Sequence, residues 1–166
     1  LIDPKRLTFV DTSGFDAHLA RPVCFDLEPA VEILEGLAGE MERRYRVLES
    51  RKFQDLDSMN AEVPPPDRLP REVVIIDEFQ DLILQDKDLK ERFLTVVQRL
   101  GAKARASGIH LLCATQYPKK EVVPGIIKVN LVARVALRVQ DAIASKVIFG
   151  RGGAEDLLGK GDFLAD

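Results

Sequence analysis

Four aliphatic residues, Val73-Val74-Ile75-Ile76, run straight into two adjacent acids, Asp77 and Glu78. Such a run is the material of a buried strand, so the carboxylates stand at its end. An aspartate placed there can hold magnesium, usually through water, because a hard cation takes oxygen ligands. A glutamate beside it can orient or deprotonate an attacking water. A second apolar run, residues 109–114, ends in Thr115-Gln116. Ligands of parallel α/β sheets gather at the carboxyl ends of strands. If the two runs are neighbours, two carboxylates, a hydroxyl and an amide converge on one crevice, where Gln116 is suited to sense a γ-phosphate. The alternative is that Asp77 and Glu78 only cap the turn over residues 79–84.

An acid pair after four aliphatics is the Walker B arrangement of nucleotide hydrolases, a weak motif alone. It requires a phosphate cradle, G-x-x-x-x-G-K-[ST], and the sequence contains none. The nearest candidate, Leu158-Gly159-Lys160-Gly161, lacks the Ser/Thr after Lys160, and the position five before Gly159 is Ala154. Leu1-Ile2 reads as the tail of a strand, so the cradle is expected upstream of residue 1. The segment alone is then expected to bind ATP poorly and to be inactive.

The elements that must position these groups follow from periodicity. Residues 22–25 are a short strand candidate. Asp26 suits a helix N-cap, with Pro29 tolerated in the first turn. From Glu28 to about Lys52, Val31, Ile33, Leu34, Leu37, Met41, Tyr45 and Leu48 recur at three- and four-residue steps and predict an amphipathic helix. Its other face, with Glu40, Glu42, Arg43, Arg44 and Arg46, reads as solvated. Pro64-Pro65-Pro66 and Pro70 predict a surface loop over about 53–71. A helix is expected over 88–107, ended by Gly108, then strands over 109–114 and 131–139 and a strand beginning at Phe163-Leu164. Alternating strands and helices predict one α/β domain, residues 1–166, with a mainly parallel sheet.

The 166 residues suffice for one core, and no apolar run approaches a membrane span. No signal-peptide pattern is present. Cys24 and Cys113 form no C-x-x-C, and the two histidines are far apart, so zinc is disfavoured and free thiols in a reducing cytoplasm are expected. The net charge of −3 is uneven: residues 1–98 carry −8 and residues 99–151 carry +8. A polyanion would meet the second half; a solvated basic face is the alternative.

The chain resembles the FtsK/SpoIIIE-type DNA translocases at motifs in the right order over nearly its whole length. Leu1-Ile2-Asp3-Pro4-Lys5 resembles their I-D-P-K strand end, and Glu40-Met41-Glu42-Arg43-Arg44-Tyr45 matches E-M-E-R-R-Y. Ile76-Asp77-Glu78-Phe79-Gln80-Asp81-Leu82 resembles V-D-E-F-A-D-L. Residues 103–111 resemble K-A-R-A-A-G-I-H-L, Ala114-Thr115-Gln116 matches A-T-Q, and residues 153–164 resemble G-A-E-x-L-L-G-x-G-D-M-L.

The resemblance implies part of a RecA-like P-loop NTPase domain, its N-terminal Walker A portion missing, that assembles as a hexameric ring around double-stranded DNA. ATP and Mg2+ are the implied cofactors, with Asp77 as the magnesium residue. Asp77, Glu78, Thr115 and Gln116 would bind nucleotide, with Asp77 and Glu78 as the catalytic Walker B pair in cis and Gln116 as the catalytic sensor. Arg105 falls where the family has an arginine finger that reaches a neighbour's γ-phosphate; the alternative is a helix C-terminal cation on the dipole. Lys119, Lys120, Arg138 and Lys146 would meet DNA. The pattern departs at Tyr117, where the family has Arg, and at Ala142, where it has a basic residue. The segment is expected in the cytoplasm without membrane contact, the parent chain having a possible membrane anchor. Type VII secretion motors, which move protein, share this domain type and remain the alternative, as does a non-hydrolysing scaffold.

Overall fold

The computed structural model describes residues 1–83, 86–119 and 125–166. These gather into two compact units, Leu1–Ala114 and Thr115–Asp166.

The first unit is built on two parallel strands, β1 (Glu72–Ile76) and β2 (Ile109–Cys113), in register from Glu72 opposite Ile109 to Ile76 opposite Cys113. Ile2 extends the pairing, bridging in parallel to Ile76 on one side and Cys24 on the other. The strand ends expected at residues 1–2 and 22–25 are thus single bridges. Both cysteines are free thiols, and burial pushes Cys113 up to about 12.

The long helix α1 (Leu27–Arg51) and helix α4 (Lys87–Lys103) pack together over the sheet. Leu34, Met41 and Leu48 of α1 are fully buried, as are Phe93, Val97 and Leu100 of α4. Each such side chain contributes about 1.5–3 kcal/mol by leaving water. Bidentate Arg92–Glu35 contacts and an Arg99–Glu42 pair link the exposed flanks. Asp26 is the N-cap of α1, but its side chain accepts from Arg6 rather than from the helix.

The periodicity misplaces Arg44. Although expected on the solvated face, it is 1% exposed. The apolar stripe is wide enough to take in a charged position, and carbonyls and carboxylates meet the guanidinium there.

The expected loop over 53–71 also holds more structure than its prolines suggest. Helix α2 (Leu56–Glu62) is started by a reciprocal capping box between Asp55 and Ser58. All the prolines lie after it. The Asn60 amide then pairs with both the N–H and the carbonyl of Leu69, closing the proline segment.

Helix α3 (Phe79–Ile83) follows β1, and α4 begins at an Asp86 cap on the Leu89 N–H. The last expected turn of α4 is a 3-10 turn instead, Ala104–Ser107, closed by Gly108 at φ 74°.

The second unit contains α5 (Gly125–Asn130), β3 (Val135–Leu137), α6 (Ala142–Phe149) and β4 (Phe163–Ala165). Here β3 and β4 pair antiparallel, so the mainly parallel expectation holds for β1 and β2 but not for this pair. Ala136, Phe149 and Ala154 form its small core, with Leu157 and Leu164 against them. Ser145, buried, accepts from the Ala154 N–H and donates to the Arg151 carbonyl. Asp141 caps α6 on the Ala144 N–H.

Candidate functional site

The carboxyl end of β1 is fixed on both sides by backbone. The Asp77 N–H donates to the Ile2 carbonyl at 2.9 Å, and the Ala114 N–H donates to the Ile76 carbonyl at 2.9 Å. The chain then turns sharply. The Phe79 N–H donates to Ala114 O and the Asp81 N–H to Glu78 O.

Glu78 stands in this turn at φ 45°, a left-handed conformation rare for a residue with a Cβ. Such strain costs about 1–2 kcal/mol and collects at functional sites. It leaves the Glu78 side chain 1% exposed, with Oε2 accepting from Lys5 Nζ at 3.1 Å. That hydrogen bond holds the Lys5 ammonium above its usual range. The ammonium gives this buried carboxylate a positive partner.

Asp77, half-buried, accepts from the Thr8 hydroxyl at 2.7 Å through Oδ2. Thr8 is itself placed by Asp3, whose Oδ2 accepts from the N–H groups of Thr8 (2.9 Å) and Phe9 (3.0 Å). Asp3 is fully buried, and its Oδ1 accepts no hydrogen bond among the described residues. Burial pushes the Asp3 carboxyl up, but the N–H groups of Phe9, Thr8, Arg6 and Leu7 outweigh it and hold the carboxyl below the usual range. The loop after Ile2 thus cradles both acids.

Spacing alone did not single out Lys5, Thr8 or Asp3. The only signal was that Asp3 and Lys5 belong to the I-D-P-K stretch. Thr8 lies beyond it and is found only through its contacts.

Arg105 is not brought to these acids. It is exposed, on the 3-10 turn that precedes β2, at the amino end of the sheet. Five residues of strand at about 3.3 Å each put the two ends about 16 Å apart. A shallow hollow of about 770 Å³ lies around it, lined by Tyr45, Asp57, Arg71, Lys103 and His110. Arg71 there is paired with Asp57.

Thr115 and Gln116 open the second unit; the Thr115 hydroxyl accepts from the Tyr117 N–H in a short turn. In that unit Lys119, Arg138 and Lys146 are exposed and form no ion pair among the described residues, whereas Arg151 is paired with Asp166. Lys120 and Leu84, at the end of the expected 79–84 turn, lie outside the described residues. No helix among the described residues is long and apolar enough to cross a membrane.

The acid pair thus stands in a strained turn at the end of a parallel strand, in an α/β unit. The model of the FtsK/SpoIIIE family matches residues 1–120. The chain belongs to the FtsK/SpoIIIE family. It is 43% identical over 171 residues to the DNA translocase FtsK of Borreliella burgdorferi, covering 99% of this chain and 21% of that protein. It is 41% identical over 168 residues to the DNA translocase SftA of Bacillus subtilis, covering 99% of this chain and 17% of that one. The chain therefore spans about a fifth of the length of these curated relatives.

Among solved structures, the family fold is shared with the pCW3 conjugation coupling protein TcpA, in its monomer form with ATPγS. The TM-score is 0.79 at 27% identity, over 87% of this chain and 42% of that one. It is also shared with the cytoplasmic domain of the Thermomonospora curvata type VII secretion ATPase EccC, with a TM-score of 0.67 at 27% identity, over 87% of this chain and 17% of that one. The fold is thus the RecA-like α/β fold of P-loop ATPase motors.

Proposed function

We propose that this segment is the Walker B half of an ATPase motor that moves double-stranded DNA. The observation that carries this reading is the Asp77-Glu78 turn, with Glu78 buried and salt-bridged and Asp77 half-exposed at a parallel strand end. Asp77 and Thr8 offer oxygen donors only, which suits magnesium rather than a softer metal. Asp77 would hold the ion, usually through water. When bound, magnesium supplies charge neutralisation between the phosphates of ATP. Glu78, paired with Lys5, orients the attacking water and takes its proton. Thr115 and Gln116 are proposed to complete the nucleotide site, Gln116 sensing the γ-phosphate.

Arg105 stands too far from its own Glu78 to share a phosphate with it. We read it as a finger offered to ATP held by a neighbouring copy, in a ring proposed to be hexameric. Hydrolysis then depends on assembly, because the transition-state charge is met only across the interface; such a finger contributes about 10³–10⁵ in rate. Lys119, Lys120, Arg138 and Lys146 are proposed to grip DNA phosphates on the cytoplasmic side. Such contacts need charge more than fixed geometry, which tolerates Tyr117 and Ala142. The Walker A cradle is proposed to come from another part of the parent chain, so the segment by itself is inactive.

The test is ATP turnover by the full parent chain, with and without linear double-stranded DNA, at two salt concentrations. Strong stimulation by DNA that fades with added salt is expected. The likeness to EccC favours a second reading, a motor that moves protein; turnover indifferent to DNA would select it. Absence of turnover would select a scaffold.

A further inference from the structure

Arg44 is the one fully buried arginine among the described residues, and every nitrogen of its guanidinium has an acceptor. Nε donates to Glu40 Oε1 at 2.8 Å. Nη1 donates to two carbonyls, Pro70 at 2.8 Å and Ser107 at 3.0 Å. Nη2 donates to the Glu72 carboxylate. The acceptors lie on α1, on the approach and first residue of β1, and on the 3-10 turn Ala104–Ser107 that carries Arg105.

That turn is held at both ends by consecutive α1 residues. Arg44 takes the Ser107 carbonyl, and the Tyr45 hydroxyl donates to the Lys103 carbonyl. Within it, Ser107 Oγ donates to Ala104 O at 2.7 Å and the Gly108 N–H to Arg105 O at 3.0 Å. The Glu72 N–H then donates to Gly108 O, joining the turn to the start of β1. The Arg105 backbone is enclosed by these bonds while its side chain stays exposed.

We propose that Arg44 is a positioning residue for Arg105: its guanidinium fork sets the 3-10 turn against β1, so that the finger leaves the sheet's amino end at one fixed place. This rests on the reading of Arg105 as a finger acting across an interface. An aliphatic residue would fill the same space but leave the Pro70 and Ser107 carbonyls and the Glu72 carboxylate without this donor. Lysine would keep the charge but not the planar set of directions that reaches three elements at once.

The test uses the full parent chain in mixed assemblies. Arg44→Lys alone is expected to lose about 10-fold or more in turnover, with KM for ATP little changed because its own nucleotide site is intact. Thermal melting and assembly size are measured alongside. Mixed with Glu78→Gln chains, which lack the water-orienting acid but keep Arg105, the Arg44→Lys chains are expected to regain turnover, since intact fingers now face their sites. Mixed with Arg105→Ala chains they are expected to regain none, because both partners are deficient in the same function.

Normal turnover by Arg44→Lys overturns the proposal. So does a loss that Glu78→Gln chains do not relieve while they do relieve Arg105→Ala. Failure of Glu78→Gln chains to relieve Arg105→Ala itself overturns the finger reading, and the proposal with it. Should Arg44→Lys not assemble, Glu72→Gln is read in the same mixtures with the same opposing outcomes; Glu72 is partly exposed, so this variant removes the β1 carboxylate without opening the core.

Discussion

Lys5 and Glu78 lie 73 residues apart in sequence, yet their side chains form a 3.1 Å ion pair. Removing the ammonium takes a positive partner from a buried carboxylate, which raises the carboxyl's pKa. Lys5→Ala in the parent chain should lower turnover and move the acid limb of its pH profile to higher pH, while Lys5→Arg keeps the limb in place. An unchanged limb in Lys5→Ala would remove Lys5 from the site. A second carboxylate marks the opposite corner of the first unit. The Arg43 guanidinium, helped by Arg44 and opposed by burial, holds Glu40 down at about 2 instead of the ordinary 4.5. A depressed carboxyl stabilises the fold above its unfolded pKa, and that contribution is lost as pH falls through the folded one. Stability should therefore decline between about pH 4.5 and 2 more steeply in the native chain than in Glu40→Gln, measured by urea unfolding at several pH values. At this scale the strand-end placement of Asp77 and Glu78 was legible from residue type and position. Lys5, Thr8 and Arg44 were not, because their roles depend on partners distant in the chain.

The elements that β-branching and helical periodicity govern came out close to expectation. Helix α1 covers Leu27–Arg51, and β1 and β2 are the two strands read from the apolar runs. Misses came where local capping outweighed composition. The Asp55-Ser58 box starts α2 inside a segment that its prolines marked as a loop. The end of α4 tightens into a 3-10 turn closed by Gly108. A Cβ on Gly108 would stand 2.1 Å from Leu56 Cδ2, and Leu56 is buried against α2's own core neighbours Leu48 and Met59. Gly108→Ala therefore meets two costs, about 1–2 kcal/mol for a left-handed residue with a Cβ and about 1–3 kcal/mol for overpacking. A thermal midpoint lowered by several degrees is expected in a melting experiment. A midpoint equal to the native one would show that α2 gives way freely.

For the whole molecule, the proposed DNA partner is a polyanion, and the charge distribution suits one. The excess of positive charge in residues 99–151 includes Arg138 and Lys146, exposed on the second unit. If they contact phosphates, each contact releases counterions on binding, so affinity falls steeply with salt. Arg138→Ala with Lys146→Ala should weaken DNA stimulation of the parent chain's turnover and flatten its salt dependence, leaving DNA-independent turnover unchanged. Unaltered stimulation would place the DNA path elsewhere.

The sequence by itself determined the strand-end acids, the long amphipathic helix, the α/β class and the family, because each is written in short-range order: residue type, spacing and motif. Only the tertiary structure decided that Glu78 is buried at a strained φ beside Lys5, that Arg44 is enclosed rather than solvated, and that Arg105 stands at the opposite end of the sheet from Asp77. These are outcomes of packing. A charged residue enters a core, or an arginine stands a whole strand away from an acidic turn, only when strands and turns far apart in the chain supply the acceptors and set the distance.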